Sequence, residues 1–136
     1  MIELGVDASV VLKWIQPARE RYSSEAESLW SAYEEGRAAF VAPPLLFLEV
    51  MNVAARGWKW AEPTLLDLAE RLQAFRIEVV EPALPSVASW AARGLTAYDA
   101  AYVALAADRG VPLVTDDREI LEVAPEVARP LTGFHL

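Results

Sequence analysis

Two hydrophobic periods interleave along this chain: short continuous apolar runs, and longer stretches whose apolar positions fall three and four residues apart. Ile2 to Val6 is apolar except for Glu3 and stops at Asp7, which predicts a strand. Val10-Val11-Leu12 opens a new apolar stretch that ends near Pro17, as a short helix would. From Arg21 to Glu35, Ala26, Leu29, Trp30 and Tyr33 recur at helical spacing among Glu and Ser, and Gly36 closes the segment. Ala38 to Ala42 reads as a second strand, and Pro43-Pro44 leads into a helix from Leu45 to about Arg56 that Gly57 can end. Glu62 to Phe75 is an amphipathic helix, Ile77 to Val80 a third strand, and Ser86 to Arg93 a helix stopped by Gly94. Thr96 opens a further helix running to about Arg109, with Gly110 after it. Pro112 to Thr115 is a fourth strand, Asp116 to Val123 a last helical turn or two, and Arg129 to Leu131 a candidate edge strand.

Strands alternating with helices, and no hairpin turn between successive strands, predict a parallel sheet of four to five strands covered on both faces. The expected fold class is α/β, a three-layer α/β/α sandwich. The 136 residues contain no repeat, low-complexity tract or linker, so one domain spanning 1–136 is expected.

Composition narrows the chemistry. The chain has no cysteine and one histidine, His135, which excludes disulfides, thiolate zinc sites, cysteine nucleophiles and multi-histidine metal clusters. Any catalytic or metal chemistry must therefore rest on oxygen atoms. Twenty Asp and Glu against twelve Lys and Arg give a net charge of −8, opposite to the basic footprint of a simple nucleic-acid-binding module. A nuclease that meets phosphate through a cation held by its own carboxylates is not excluded by that sign. No apolar run approaches the roughly 18 residues of a membrane span, and Met1-Ile2-Glu3-Leu4 lacks the start of a signal peptide, so a cytoplasmic location is expected.

On the expected frame the acids gather. Asp7 ends the first strand and Asp117 lies just past the fourth, so in a parallel sheet both occupy the carboxyl edge. A helix leading into a strand runs antiparallel to it, so the helix from Thr96 starts at that edge with Asp99 in its first turn. The helix after the second strand starts there too, with Glu49 about 7 Å along its axis. Ligands of open α/β sheets bind outside the carboxyl strand ends. Glu49 and Asn52, three apart, are the only polar residues from Leu45 to Ala55, and Asp99 is the only charge from Ala97 to Ala107. Crowded carboxylates repel by about 4 kcal/mol per pair at 4 Å and an effective dielectric of 20, so four together call for a cation. All-carboxylate sites suit Mg²⁺ or Mn²⁺.

Plainer roles stand beside this one. Asp7 and Asp117 fit helix N-caps, and Thr96 with Asp99 resembles a capping box. Glu49 could pair with Arg56 or Arg93, and Ser9 and Thr115 could be ordinary turn hydroxyls. Arg56-Gly57-Trp58-Lys59-Trp60 mixes bases with aromatics, as an RNA-holding lip would, although paired tryptophans after a helix also pack into cores and interfaces.

Val6-Asp7-Ala8-Ser9, Pro44 through Glu49-Val50 and Asn52, Leu95 through Asp99 to Tyr102, and Leu113-Val114-Thr115-Asp116-Asp117-Arg118 together resemble the PIN-domain ribonucleases, and within them the VapC-type toxins of toxin–antitoxin pairs. The resemblance spans nearly the whole chain in the family's order. It implies Asp7, Glu49, Asp99 and Asp117 as the acidic quartet, with Thr115 and Ser9 as supporting hydroxyls and Asp116 in reserve. It also implies a PIN-like sandwich, Mg²⁺ or Mn²⁺ dependence, RNA cleavage, homodimerisation and inhibition by a cognate antitoxin. Two rival readings keep less of this pattern. A PIN-fold interaction module would use the acids to bind a partner. An aspartate-based phosphatase or phosphotransfer domain would want a second Asp where Ser9 stands, or a lysine after a late strand, and the only lysines are Lys13 and Lys59.

Overall fold

The computed structural model describes residues 1–17 and 23–136. Its sheet has five parallel strands, β1 (Ile2–Val6), β2 (Ala38–Ala42), β3 (Ile77–Val79), β4 (Leu113–Thr115) and β5 (Ala128–Pro130), in the spatial order β3-β2-β1-β4-β5. Each strand is reached through helical chain, as parallel pairing requires. The helices are α1 (Ala8–Ile15), α2 (Ser23–Glu34), α3 (Leu45–Asn52), α4 (Glu62–Ala74), α5 (Leu84–Ala91), α6 (Ala97–Arg109) and α7 (Arg118–Val123). The α/β sandwich and the candidate fifth strand at the chain's end are both present. The Arg21 start expected for the second helix lies outside the described residues.

The strand order places the functional edge. From β1 the chain moves to β2 and β3 on one side; β4 and β5 lie on the other, so the direction of winding reverses between β1 and β4. Loops leaving those two strands part in opposite directions and open a crevice at their carboxyl ends. Gly5 pairs with Leu113 and Val6 with Val114, so the residues that follow, Asp7 and Thr115, leave the ladder side by side.

Helix α6 brings a third acid to that crevice. Its alanines let it lie close on the sheet, over β1, β2 and β4. A Cβ on Gly5 would stand 3.4 Å from that of Ala106 and 3.3 Å from Leu113 Cδ1, tighter than most packed contacts, which is why the strand carries glycine there. The helix runs antiparallel to the strands, with Thr96 capping its start through the Asp99 N–H at 3.1 Å. At its far end Arg109 binds Glu3 of β1 and Glu78 of β3 at 2.6 to 3.2 Å, and Gly110 closes it in the left-handed conformation.

The helical chain expected from Leu45 to about Arg56 is present and ends at Gly57, but it changes type on the way: it widens into a π-helical turn over Val53–Gly57, where the Trp58 N–H bonds to Val53 O at 2.9 Å and the Trp60 N–H reaches Ala54 O at 3.1 Å. The apolar run does not make α3 buried all round. Asn52 is exposed, Leu48 is 70% exposed, and Phe47 and Met51 border a surface groove of about 520 Å³ against α4 and β3. An unbroken apolar run cannot distinguish a helix buried on every side from one whose outer face lines a groove.

Candidate active site

Among the described residues the buried polar or charged side chains are Asp7, Thr115 and Lys13, and all three belong to the crevice or its wall. Asp7 is 4% exposed. Its Oδ1 accepts from the Ser9 N–H at 3.1 Å and the Ser9 hydroxyl at 2.6 Å, and its Oδ2 accepts from the Thr115 hydroxyl. Each hydroxyl in turn accepts a backbone N–H from the turn after β4, Asp116 N–H to Ser9 Oγ and Asp117 N–H to Thr115 Oγ1, both at 2.9 Å. Accepting those amides aims the hydroxyl protons at Asp7 and fixes its carboxylate plane. Ser9 and Thr115 therefore do more than satisfy turns. Asp7 also caps α1, so capping and site geometry coincide in one side chain.

Asp117 plays the same double part. Its Oδ1 accepts the Ile120 N–H at 3.0 Å and caps α7, while its charge acts on both Asp7 and Asp99. The neighbouring Asp116 is turned elsewhere, with Oδ2 3.2 Å from the Nζ of Lys13, a lysine almost wholly buried in α1. The acidic doublet is thereby divided, with Asp117 contributing to the acid group and Asp116 turned toward Lys13.

Glu49 does not take the arginine partner considered for it. The Tyr102 hydroxyl donates to its Oε1, and Arg93 instead holds Val123 O at 2.8 Å and Glu126 at 3.2 Å. Asn52, expected beside Glu49, is exposed to solvent.

The electrostatics register the crowding. Burial raises the Asp7 carboxyl from 3.8 to about 6, against the lowering effect of the Ser9 and Thr115 hydrogen bonds and with a further push from Asp117. Burial also raises Asp99 to about 6, with added repulsion from Asp117, Glu49 and Glu119. The Tyr102 phenol is pushed far upward by burial and by its bond to Glu49, with the charges of Glu49, Asp7 and Asp99 adding to the effect. Lys13, Tyr102 and Glu119 were not singled out from sequence. Lys13 carried a usable signal, as the one charge within the apolar run from Val10 to Ile15, and so did Tyr102, three residues from Asp99 on one helix face.

The cluster after the π-helical turn divides into two halves. Trp58 and Trp60 are half-buried against the core with their ring centroids 5.0 Å apart, whereas Arg56 and Lys59 are exposed.

The family model of the PIN domain matches residues 5–125. The chain belongs to the PIN-domain family. Within it this PIN domain is of the VapC type: Ribonuclease VapC3 from Pyrobaculum aerophilum is 32% identical over 140 residues, spanning 95% of this chain and 100% of that protein. The crystal structure of PAE2754 from Pyrobaculum aerophilum superposes with a TM-score of 0.66 at 26% identity, covering 97% of this chain and 92% of the other. All four acids fall inside the stretch matched as a PIN domain.

The donor chemistry of this PIN domain fits the divalent cation that its family implies. Every donor is a hard oxygen, and two carboxyls are raised by burial and by like charge, the imbalance that a doubly charged ion offsets. Among the described residues no three acids approach closely enough to form a ready ligand set.

Proposed function

We propose that this chain is a divalent-metal-dependent endoribonuclease and the toxin of a toxin–antitoxin pair. The observation that carries the reading is the burial of the Asp7 and Asp99 carboxyls at the carboxyl edge of β1 and β4, where the charge of Asp117 acts on both and that of Glu49 on Asp99, in a VapC-type PIN domain. The likeness to a protein named as a ribonuclease points to RNA as the substrate.

In this reading Asp7 and Asp99 hold the principal Mg²⁺ or Mn²⁺, with Glu49 and Asp117 completing the site. The cation, when bound, supplies positive charge that offsets the charge developing on the phosphoryl oxygens. Ser9 and Thr115 keep Asp7 in one orientation, so no reorganisation is needed as the charge develops. One carboxylate takes the proton of the attacking water while the new P–O bond forms and the bond to the departing ribose oxygen breaks. Arg56 and Lys59, exposed beyond α3, supply phosphate contacts for the RNA strand, and Trp58 and Trp60 serve the core more than base stacking.

Purified protein incubated with RNA and Mn²⁺ or Mg²⁺, beside a sample with EDTA and the Asp99→Asn variant, tests the activity. Cleavage that needs the ion and disappears in the variant supports it; equal cleavage by the variant refutes it. Homodimerisation and capture by an antitoxin encoded beside the chain complete the proposal. Light scattering of the isolated protein and co-purification of the pair are the respective measurements. Among the described residues no helix is long and apolar enough to cross a membrane.

A further inference from the structure

The hydrogen bonds around the acid group follow a rule of charge. Asp7 is held by the hydroxyls of Ser9 and Thr115, Asp117 by a backbone N–H, and Glu49 by the phenol of Tyr102. All of these donors are neutral. Among the described residues the salt bridges fall elsewhere, on Glu3, Glu35, Glu78, Glu126 and Asp116. A lysine or arginine on one of the four acids would neutralise it and compete with a cation, whereas a neutral donor orients a carboxylate and leaves its charge in place.

Glu49 has particular need of such a donor. Asp7 and Asp117 sit at helix starts, where backbone N–H groups are at hand, but Glu49 lies inside α3, whose own amides are engaged in the helix. Its side chain is long and rotamer-rich, and holding it in one geometry costs conformational freedom that something else must offset. Tyr102 projects from α6 three residues after Asp99, on the same helix face, and is 2% exposed. Its rigid ring carries a hydroxyl from the buried side of α6 across to α3, and the carboxylate can only accept, so the proton is donated by the phenol. The charges of Asp7 and Asp99 also act on this hydroxyl, which places it within the acid group and not merely beside it.

We propose that Tyr102 is the positioning residue for Glu49: its hydroxyl takes Oε1, leaves the charge intact and presents the remaining oxygen of Glu49 to the cation site, joining α3 to α6 across the crevice. This inference rests on the reading of Glu49 as a cation-site acid and adds a residue to it.

Tyr102→Phe removes the hydroxyl and keeps the ring. The metal-free protein, titrated with Mn²⁺ alone and followed by calorimetry or by the Mn²⁺ paramagnetic signal, reads the effect apart from catalysis. Tyr102→Phe is expected to weaken Mn²⁺ binding about 10–100-fold, the usual effect of losing a partner behind a ligand, with melting in EDTA little changed. It should lower kcat for RNA and leave KM near the parent value. Added to Glu49→Gln it should change nothing further. Glu49→Asp, which keeps the charge but falls short of the phenol, should match Tyr102→Phe and serves as the second test should the first variant fold poorly. Two results overturn the proposal and differ in what else they remove. Mn²⁺ affinity within about twofold of the parent in Tyr102→Phe or Glu49→Asp, with Glu49→Gln still weakened, rejects Tyr102 alone. An unchanged affinity in Glu49→Gln rejects both Tyr102 and the cation-site role of Glu49.

Discussion

Removing the charge of Asp7 should destroy activity and stabilise the metal-free fold. The carboxyl is 4% exposed and binds its proton near pH 6 in the folded chain, against 3.8 when unconstrained. Because the folded pKa is the higher one, the folded state holds the proton more tightly. That contribution to stability is complete below about pH 4 and is lost as pH rises through about 6. The rise from 3.8 to about 6 corresponds to about 3 kcal/mol of destabilisation at neutral pH when no cation compensates. Asp7→Asn carries no charge at any pH and keeps one acceptor oxygen for Ser9. It replaces the oxygen facing the Thr115 hydroxyl with an NH₂ group, at a cost of about 1 kcal/mol. The net expectation in EDTA at about pH 7.5 is a gain of about 1–2 kcal/mol, or roughly 3–8 °C in Tm for a chain of this size. At about pH 4 the variant should be no more stable than the parent. Thermal melts of both proteins in EDTA across this range measure the difference, in which the similar response of Asp99 largely cancels. Saturating Mn²⁺ should reverse the order by stabilising the parent, by about 2.7 kcal/mol at a hundredfold excess over Kd. A variant less stable than the parent at pH 7.5 in EDTA, or one that keeps the parent's loss of stability between about pH 4 and 7, refutes the claim that burial strains this carboxylate.

Three shorter tests bear on the surrounding residues. Thr115→Val removes the hydroxyl that links the Asp117 amide to Asp7; Mn²⁺-dependent RNA cleavage should fall about 10–100-fold, as measured by initial rates. Asp116→Asn removes the contact with Lys13 and should lower stability in urea denaturation more than it lowers cleavage, whereas Asp117→Asn should lower cleavage far more than stability. If the two effects are exchanged, the acidic doublet has been divided the wrong way. Lys59 is the one non-glycine among the described residues with positive φ, at 60°, so Lys59→Gly should raise stability by about 0.5–1 kcal/mol, read as a shift in Tm.

Much of the frame could be read from local pattern. Apolar runs bounded by Gly and Pro marked the strands and helices to within a few residues. Their alternation implied parallel pairing, and that pairing implied that Asp7, Glu49, Asp99 and Asp117 lie toward one edge. These inferences need only the chain's direction and the two hydrophobic periods. What tertiary structure alone decided depends on contacts between distant segments. The order β3-β2-β1-β4-β5 follows from which strands pair, and it sets Asp7 beside Thr115, 108 residues apart in the chain. The choice of Tyr102 over an arginine for Glu49, and of Lys13 as the partner of Asp116, rests on side-chain reach across helix interfaces, which no one-dimensional spacing encodes. The exposure of Asn52 has the same origin: periodicity defines the faces of a helix, while the neighbour that covers a face is supplied by the rest of the fold.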